Sequence, residues 1–162
     1  MKKIFLVLLV LLLLMQLYPR AKKNIELSKT NHDITAAHIV PDSVEAVLKT
    51  SCYDCHSNNT YYPWYSNLQP ISWWLNDHIE EGKGELNFSE FAEYRIGRQY
   101  RKLEEISKQI EEDEMPLKSY TLIHRNTILS EAQKKTVANW TNLLRDSIKN
   151  NYPADSLKRK KR

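Results

Sequence analysis

The sequence predicts an all-α domain, and three observations support that prediction. The chain has 162 residues but only three glycines. No segment alternates apolar and polar residues with the period of two that a half-buried strand requires. Apolar residues instead recur at intervals of three and four in five segments, a spacing that places them on one face of a helix. A chain of this length can bury one modest core, so we expect a single helical domain.

The first predicted element is an apolar N-terminal segment. Lys2 and Lys3 precede an unbroken apolar run over residues 4–15, which extends to Tyr18. A helix of this length measures about 22 Å, whereas the hydrocarbon layer of a bilayer is about 30 Å thick. Residues 1–18 are therefore predicted to be a membrane anchor or a signal segment. The residues that follow contain no A-x-A-like cleavage site, which favours an uncleaved transmembrane anchor.

The rest of the chain divides into three parts. The polar and weakly patterned residues 19–41 are predicted to be a tether. A folded domain is predicted over residues 42–150, and Asp42 with Glu45 has the pattern of a capping box at the start of its first helix. Residues 151–162 contain five basic side chains and are predicted to be a basic, disordered tail.

Four further helical segments of the domain are predicted from apolar periodicity and from helix start and stop signals. They are a helix that begins at Pro70 and is ended by Gly82 and Gly84, a short turn capped by Asn87 with Glu90, a helix over residues 98–112, and a last helix that Ser130 opens with Gln133 and Pro153 stops.

The charge distribution argues against nucleic-acid binding. The chain carries 24 basic and 20 acidic side chains, a net charge of +4 and a pI of about 9.0. Residues 1–41 and 151–162 each contribute +4, which leaves 13 basic and 17 acidic side chains between residues 42 and 150. A duplex-binding domain clusters lysine and arginine on its folded part. The folded part here is acidic, so nucleic acid is not expected as a partner.

The only two cysteines lie in a C-x-x-C-H motif formed by Cys52, Cys55 and His56. On a continuing helix, positions i, i+3 and i+4 share one face, and these three residues would continue the apolar stripe that begins at Val44. Two thiols on one face can add to the two vinyl groups of one porphyrin, and the adjacent imidazole can then coordinate the iron. The motif is the attachment signature of c-type haem. We therefore predict one covalent haem c on the two cysteines, with His56 as the proximal iron ligand.

Other uses of the two cysteines explain the motif less well. A disulfide between them would close a very small ring and leave the histidine without a role. A thioredoxin-like C-x-x-C needs a βαβ context, and no strand is predicted. A zinc site would need two further ligands, and there is no second cysteine pair. Because covalent haem is normally added outside the cytoplasm, the motif also predicts a single-pass inner-membrane protein with its haem domain in the periplasm.

Met115 is the predicted distal iron ligand. It is the only methionine after the N-terminal segment, and Pro116 biases it towards an extended backbone. Such a loop would present the thioether on the side opposite His56, and a sulfur ligand raises the reduction potential relative to two imidazoles. The alternatives are a methionine that only fills space in the core, or ligation by His78 or His124.

Two other groups of residues lie close to the predicted site in the sequence. The acidic run over residues 111–114 is expected to be a solvated face beside the distal ligand. A dense aromatic group is expected to form core around the planar cofactor, with polar tips available to the haem propionates. The members of this group are Tyr61, Tyr62, Trp64, Tyr65, Trp73 and Trp74.

Several blocks of sequence beyond the motif resemble one protein family. These blocks are residues 51–60, 62–65, 73–75, His78, 86–90, 114–117 and 119–124. Together they resemble the bacterial haem-binding domain family, which consists of small, membrane-anchored, single-haem cytochrome-c-like proteins common in Bacteroidetes. The resemblance covers about Asp42 to Arg145. It implies a cytochrome-c-like helical fold, covalent haem on Cys52 and Cys55, His56 as proximal ligand, and Met115 at the distal position. One departure is Arg125, where the family pattern suggests proline.

These observations lead to one functional hypothesis and one alternative. We expect a single-haem c-type cytochrome that carries single electrons between a membrane donor and a periplasmic acceptor of unknown identity. The alternative is a haem-based sensor of a gas or of redox state, which would need a labile sixth ligand. Peroxidase activity would need an open iron and distal acid–base groups, so we do not expect an enzyme.

Overall fold

Helices make up nearly all of the regular secondary structure in the computed structural model, which describes residues 1–26 and 31–159. Within these two ranges there is no β-strand, and only one isolated antiparallel bridge joins Ile25 to Asn59. The predicted all-α fold class is therefore confirmed.

The described residues form nine α-helices and three 3-10 helices. The α-helices are α1 (Lys2–Met15), α2 (Ile34–Ala37), α3 (Asp42–Ser51), α4 (Tyr53–His56), α5 (Ile71–Glu85), α6 (Ile96–Glu111), α7 (Lys118–Thr121), α8 (Glu131–Asn151) and α9 (Ala154–Leu157). The 3-10 helices are Trp64–Asn67, Phe88–Glu93 and Arg125–Thr127.

The hydrophobic core lies where α8 packs against both α6 and α3. Leu103, Ile106 and Ile110 of α6 are buried at the spacing that the sequence predicts for one helix face. Trp140 of α8 is also buried, and its indole Nε1 donates a 3.2 Å hydrogen bond to the backbone carbonyl of Ile39. The long helices thus form the frame against which the shorter ones are placed.

One of the two predicted capping boxes has the expected geometry. Ser130 caps α8, because its hydroxyl accepts from the Gln133 amide and the Gln133 side chain accepts from the Ser130 amide at 2.9 Å. The capping box predicted at Asp42 is wrong. Pro41 is the cap of α3, and Asp42 is the first helical residue, where its carboxylate still lies at the favourable end of the helix dipole.

The structure corrects the prediction of a simple tether over residues 19–41. Ile34 in α2 is fully buried, and α2 packs against the 3-10 helix Phe88–Glu93. Further upstream, the side-chain Nδ2 of Asn24 donates to the carbonyl of Ser57 at 2.8 Å. A single buried isoleucine leaves no periodicity in the sequence, so the pattern could not reveal this packing. Residues 27–30 of the predicted tether lie outside the described residues.

The structure also corrects the prediction of a disordered tail over residues 151–162. Helix α8 continues to Asn151, and α9 packs against α6. A Cβ atom added at Gly97 of α6 would lie 2.6 Å from the carbonyl oxygen of Ser156, so this contact requires a glycine. The basic residues 160–162 lie outside the described residues.

The apolar N-terminal segment forms α1, a helix of 14 residues with no buried side chain. Across residues 1–26 and 31–159, no helix combines the length and the apolar character needed to cross a membrane, and the predicted transmembrane anchor is not supported. The end of α1 contacts the domain at two points. Gln16 exchanges two 3.0 Å hydrogen bonds with the backbone of Gln69, and the ring of Tyr18 packs edge-on against Trp73.

Candidate functional site

A cavity of about 350 Å³ lies between the C-x-x-C-H motif and helix α6. Its volume is within the range of small-molecule and cofactor sites. Cys52, His56 and Met115, three of the four predicted site residues, line it. The rest of the wall is mainly apolar and includes Leu86, Phe88, Ile106, Ile110 and Leu129.

The local backbone explains how the motif reaches the cavity. The predicted continuous helix is interrupted at Cys52, whose φ of −125° and ψ of −41° separate α3 from α4. The Cys52 amide still donates to the carbonyl of Leu48, and the Cys52 carbonyl accepts from the amides of Cys55 and His56. Cys52 and His56 therefore line the cavity, whereas Cys55 is absent from its wall.

The His56 ring is held in one orientation by two backbone carbonyls. Its Nδ1 lies 2.9 Å from the oxygen of Gly82 and 3.0 Å from the oxygen of Leu86. Because a carbonyl oxygen can only accept, Nδ1 carries the hydrogen in the neutral ring, and Nε2 keeps a free lone pair. Burial lowers the pKa of His56, which favours that neutral form. This is the arrangement that orients a metal-binding histidine.

Gly82 allows α5 to lie directly against the motif. A Cβ atom at this position would lie 2.8 Å from the carbonyl oxygen of Cys55 and 3.3 Å from its Cβ. The sequence predicts that Gly82 ends the helix, but α5 continues to Glu85. A glycine inside a helical pattern, three or four residues after an apolar stripe, was the signal for this close approach.

Both cysteines are free thiols that burial keeps protonated. Burial, with a smaller contribution from Cys55, raises the pKa of Cys52 to about 12. Burial and the nearby Asp54 carboxylate raise the pKa of Cys55 to about 11. Neither thiol has the low pKa of a catalytic or metal-activated cysteine.

Met115 lies in the loop that follows α6, and two contacts fix this loop. The amides of Glu114 and Met115 both donate to the carbonyl of Gln109, at 3.0 and 3.1 Å. Asp113 has a φ of 58°, the left-handed conformation that commonly follows a helix, and its carboxylate lies 2.6 Å from Nζ of Lys134 on α8. The loop therefore holds Met115 in the wall of the cavity that His56 also lines.

Comparison with protein families identifies the family of the chain. Residues 10–143 match the haem-binding domain. The chain belongs to the haem-binding domain family. No curated protein and no solved structure matches it.

The residues around the cavity fit a haem in the chemistry of their donors. The haem-binding domain offers an oriented imidazole nitrogen at His56, a thiol at Cys52 and a thioether at Met115, all in one mainly apolar wall. Iron accepts imidazole and thioether ligands, and an apolar wall suits a porphyrin face. Across residues 1–26 and 31–159, no three His, Cys, Asp or Glu side chains are grouped to hold a metal ion by themselves.

One end of the cavity is polar, and no sequence pattern predicts this. Lys102 of α6 lines the cavity and lies 3.1 Å from a carboxylate oxygen of Glu85 and 2.5 Å from one of Glu105. No motif marks Lys102, which stands in α6 among other charged residues.

Two histidines that compete with Met115 in the sequence lie elsewhere in the haem-binding domain. The ring of His78 packs on Trp74, and its Nδ1 lies 3.0 Å from the Trp74 carbonyl. His124 stacks on Tyr120, and its Nε2 lies 2.5 Å from the hydroxyl of Tyr65. Neither histidine lines the cavity.

The predicted role of the aromatic group is wrong. None of the six aromatic residues between positions 61 and 74 lines the cavity of the haem-binding domain, and Tyr61 and Trp64 are among its most exposed large side chains. A cluster of aromatic residues in the sequence does not predict which face of the fold these side chains occupy. The acidic run over residues 111–114 is exposed as expected.

Proposed function

We propose that this haem-binding protein carries one haem c and transfers single electrons. The observation that carries the proposal is the orientation of His56 by the carbonyls of Gly82 and Leu86, in a cavity whose wall also contains Cys52 and Met115. When bound, the haem supplies an iron that takes up and releases one electron.

Each site residue has a role in this proposal. His56 presents Nε2 as the proximal ligand, and its two hydrogen bonds keep the ring from turning. Met115 presents its sulfur as the distal ligand from a loop fastened to α6 and α8. If His56 and Met115 both held the iron, electron transfer would need no exchange of ligands, and peroxidase chemistry would have no open site.

Covalent attachment involves both thiols, which differ in position. The S–H bond of each cysteine adds across one vinyl group, so the reaction needs no oxidant. Cys52 already lies in the wall of the cavity, whereas the Cβ of Cys55 packs towards Gly82. Attachment at Cys55 therefore requires its side chain to turn towards the cavity.

The mainly apolar wall and Lys102 complete the site. Leu86, Phe88 and Ile106 exclude water from the ring faces, which limits solvent reorganisation when the charge of the site changes. Lys102 pairs with Glu85 and Glu105, and it would have to exchange one of these partners to bind a propionate. We further propose that the domain lies in the periplasm and is held at the inner membrane by its apolar residues 1–18, because c-type haem is normally attached outside the cytoplasm.

The first test is the optical spectrum of the full-length protein, produced with the cytochrome c maturation system. A pyridine haemochrome assay distinguishes thioether from free vinyl groups, and we expect the thioether form. The Cys52→Ala/Cys55→Ala variant should lose all haem on denaturing extraction. Haem that survives this extraction in the double variant, or is extracted from the native protein, would contradict covalent attachment. Tight and rapid CO binding by the native ferrous protein would favour the sensor instead.

A further inference from the structure

The end of the domain that adjoins α1 exposes four large apolar side chains that the haem site does not use. They are Trp64 at 76% exposure, Leu68 at 42%, Ile71 at 38% and Trp74 at 44%, and we call them the tryptophan patch. Trp64 begins the 3-10 helix that packs on α5, and the other three lie just before α5 and in its first turn. None of the four lines the cavity.

The chain segment that carries the tryptophan patch is hydrogen-bonded to the residue that follows α1. Gln69, which lies between Leu68 and Ile71 in the sequence, is the residue whose backbone exchanges two 3.0 Å hydrogen bonds with Gln16. The ring of Tyr18 packs edge-on against Trp73, with 5.4 Å between ring centroids. The segment that carries Leu68 and Ile71 is therefore joined to the end of α1.

Helix α1 exposes apolar side chains on all sides, and although it does not have the length to cross a bilayer, it can enter the apolar layer. Every apolar residue from Ile4 to Leu14 is between 43% and 70% exposed. A protein partner or a second copy of the chain would cover one face of such a helix, whereas the interior of a lipid bilayer surrounds it completely. The medium that suits α1 is therefore lipid.

The residues around the patch suit the membrane surface. Tryptophan and tyrosine favour the interface between hydrocarbon and water. Tyr18 follows α1, and Trp64 and Trp74 flank in sequence the residue Gln69, which is hydrogen-bonded to Gln16. Arg20, Lys22 and Lys23 follow α1 and are exposed, so they can contact anionic headgroups. The remainder of the domain, over residues 42–150, is acidic, and repulsion from anionic lipid would turn it away.

We propose that the tryptophan patch docks the folded domain directly onto the surface of an anionic phospholipid membrane that holds α1. This inference rests on the membrane attachment proposed above and extends it from the N-terminal segment to the domain itself. The domain is then held in one orientation.

The test uses the full-length haem protein with 5-fluorotryptophan, reconstituted in nanodiscs that contain phosphatidylglycerol. Because low-spin ferrous haem is diamagnetic, ¹⁹F spectra of the reduced protein resolve the four tryptophans, and single Trp→Phe variants assign them. A lipid with a nitroxide on its headgroup then broadens signals near the membrane surface. Trp64 and Trp74 should lose about half or more of their intensity. Trp140 is the internal control, because it is only 7% exposed and its Nε1 donates to the Ile39 carbonyl.

A pair of matched variants tests the contribution of the patch. In Trp64→Gln/Trp74→Gln the domain should tumble more freely above the disc, and the Trp140 signal should narrow. Leu122→Gln/Ile123→Gln removes two other exposed apolar side chains and should leave the Trp140 linewidth unchanged. Equal narrowing in both variants would overturn the docking proposal.

The remaining outcomes separate the two proposals. Incorporation into discs with full Trp64 and Trp74 intensity would overturn docking of the domain and leave attachment through α1. Failure of the chain to enter discs would overturn both. Signals that change with the number of chains per disc, and not with the nitroxide lipid, would assign the patch to a second copy and overturn the lipid assignment. Equal broadening in pure phosphatidylcholine discs would overturn the anionic preference.

Discussion

A Cβ atom on Gly82 would lie 2.8 Å from the carbonyl oxygen of Cys55, which is closer than a side chain can approach without displacing the backbone. The carbonyl of Gly82 is also one of the two acceptors that orient His56. One glycine therefore sets both the distance of α5 from the motif and the direction of the proposed proximal ligand.

Substitution of Gly82 by alanine should destabilise the protein. We expect Gly82→Ala to lower the free energy of unfolding by about 1–3 kcal/mol, because the new methyl group overpacks the α4–α5 contact. Chemical denaturation of the haem-loaded protein measures this change. Gly84→Ala is the matched control, since a Cβ atom there meets nothing within 4 Å and alanine favours a helix by about 1 kcal/mol. Equal destabilisation by both substitutions would contradict the steric argument.

Removal of the Met115 sulfur should open the sixth position of the iron. We expect Met115→Ala to abolish the far-red charge-transfer band of sulfur-ligated ferric haem, and to raise the CO affinity of the ferrous protein by about tenfold or more. Leu129→Ala also enlarges the cavity but removes no sulfur, so this variant should keep the band. A band that persists in Met115→Ala would show that another side chain is the distal ligand.

Two tyrosines should resist ionisation at high pH. Burial raises the pKa of Tyr120, and the 2.6 Å hydrogen bond from its hydroxyl to Asp54 raises it further. Burial and Asp33 raise the pKa of Tyr53 in the same way. A tyrosine in the unfolded chain ionises near pH 10. The stability that these neutral phenols contribute is therefore complete below about pH 10 and declines as the pH rises above that value.

Labelling of the tyrosine ¹³Cζ atoms allows this titration to be followed by NMR. The signals missing in Tyr53→Phe and Tyr120→Phe assign the two residues. Both should remain un-ionised at about pH 11, where a model tyrosine peptide is mostly ionised. A midpoint near pH 10 for either residue in the folded protein would show that its burial or its acidic partner is not as described.

The left-handed backbone at Asp113 should limit which residues can follow α6. Valine at this φ of 58° is strained by about 1–2 kcal/mol, whereas glycine is not. We expect Asp113→Val to destabilise the protein. By moving the Met115 loop, it should also shift the far-red charge-transfer band of the sulfur-ligated ferric haem. Asp113→Gly loses the contact with Lys134 but keeps the backbone, so its spectrum should resemble that of the native protein. If the valine variant kept the native spectrum, the backbone conformation at Asp113 would not determine the position of Met115, which would contradict the prediction.

Sequence periodicity predicted the long helices because their burial repeats along the chain. The helix predicted over residues 98–112 is α6, and Ser130 caps α8 as expected. The helix from Pro70 was predicted too short, because Gly82 looks like a terminus and serves instead as a point of close contact. These differences concern ends of helices, where tertiary contacts outweigh local propensity.

Part of the site could be predicted from the chemistry of its residues, and the part that depends on packing could not. Cys52, His56 and Met115 line one cavity although some 60 residues separate the motif from the methionine, and the chemistry of the residue types alone brought them together. The break at Cys52 and the position of Lys102 depend on packing between α4, α5 and α6, which leaves no local pattern. The aromatic residues between 61 and 74 were misplaced because their composition indicates burial, while the fold exposes several of them.

The burial of Ile34 determines where the protein can be shortened for biochemical work. A version that begins at Asp42, the boundary that the sequence suggests, would lack α2 and uncover the 3-10 helix Phe88–Glu93. Loss of the isoleucine side chain alone would cost on the order of 2–5 kcal/mol, a large part of the stability of a small domain. A deletion that removes only α1 keeps this core residue, and it is the better starting point for a version without the apolar segment.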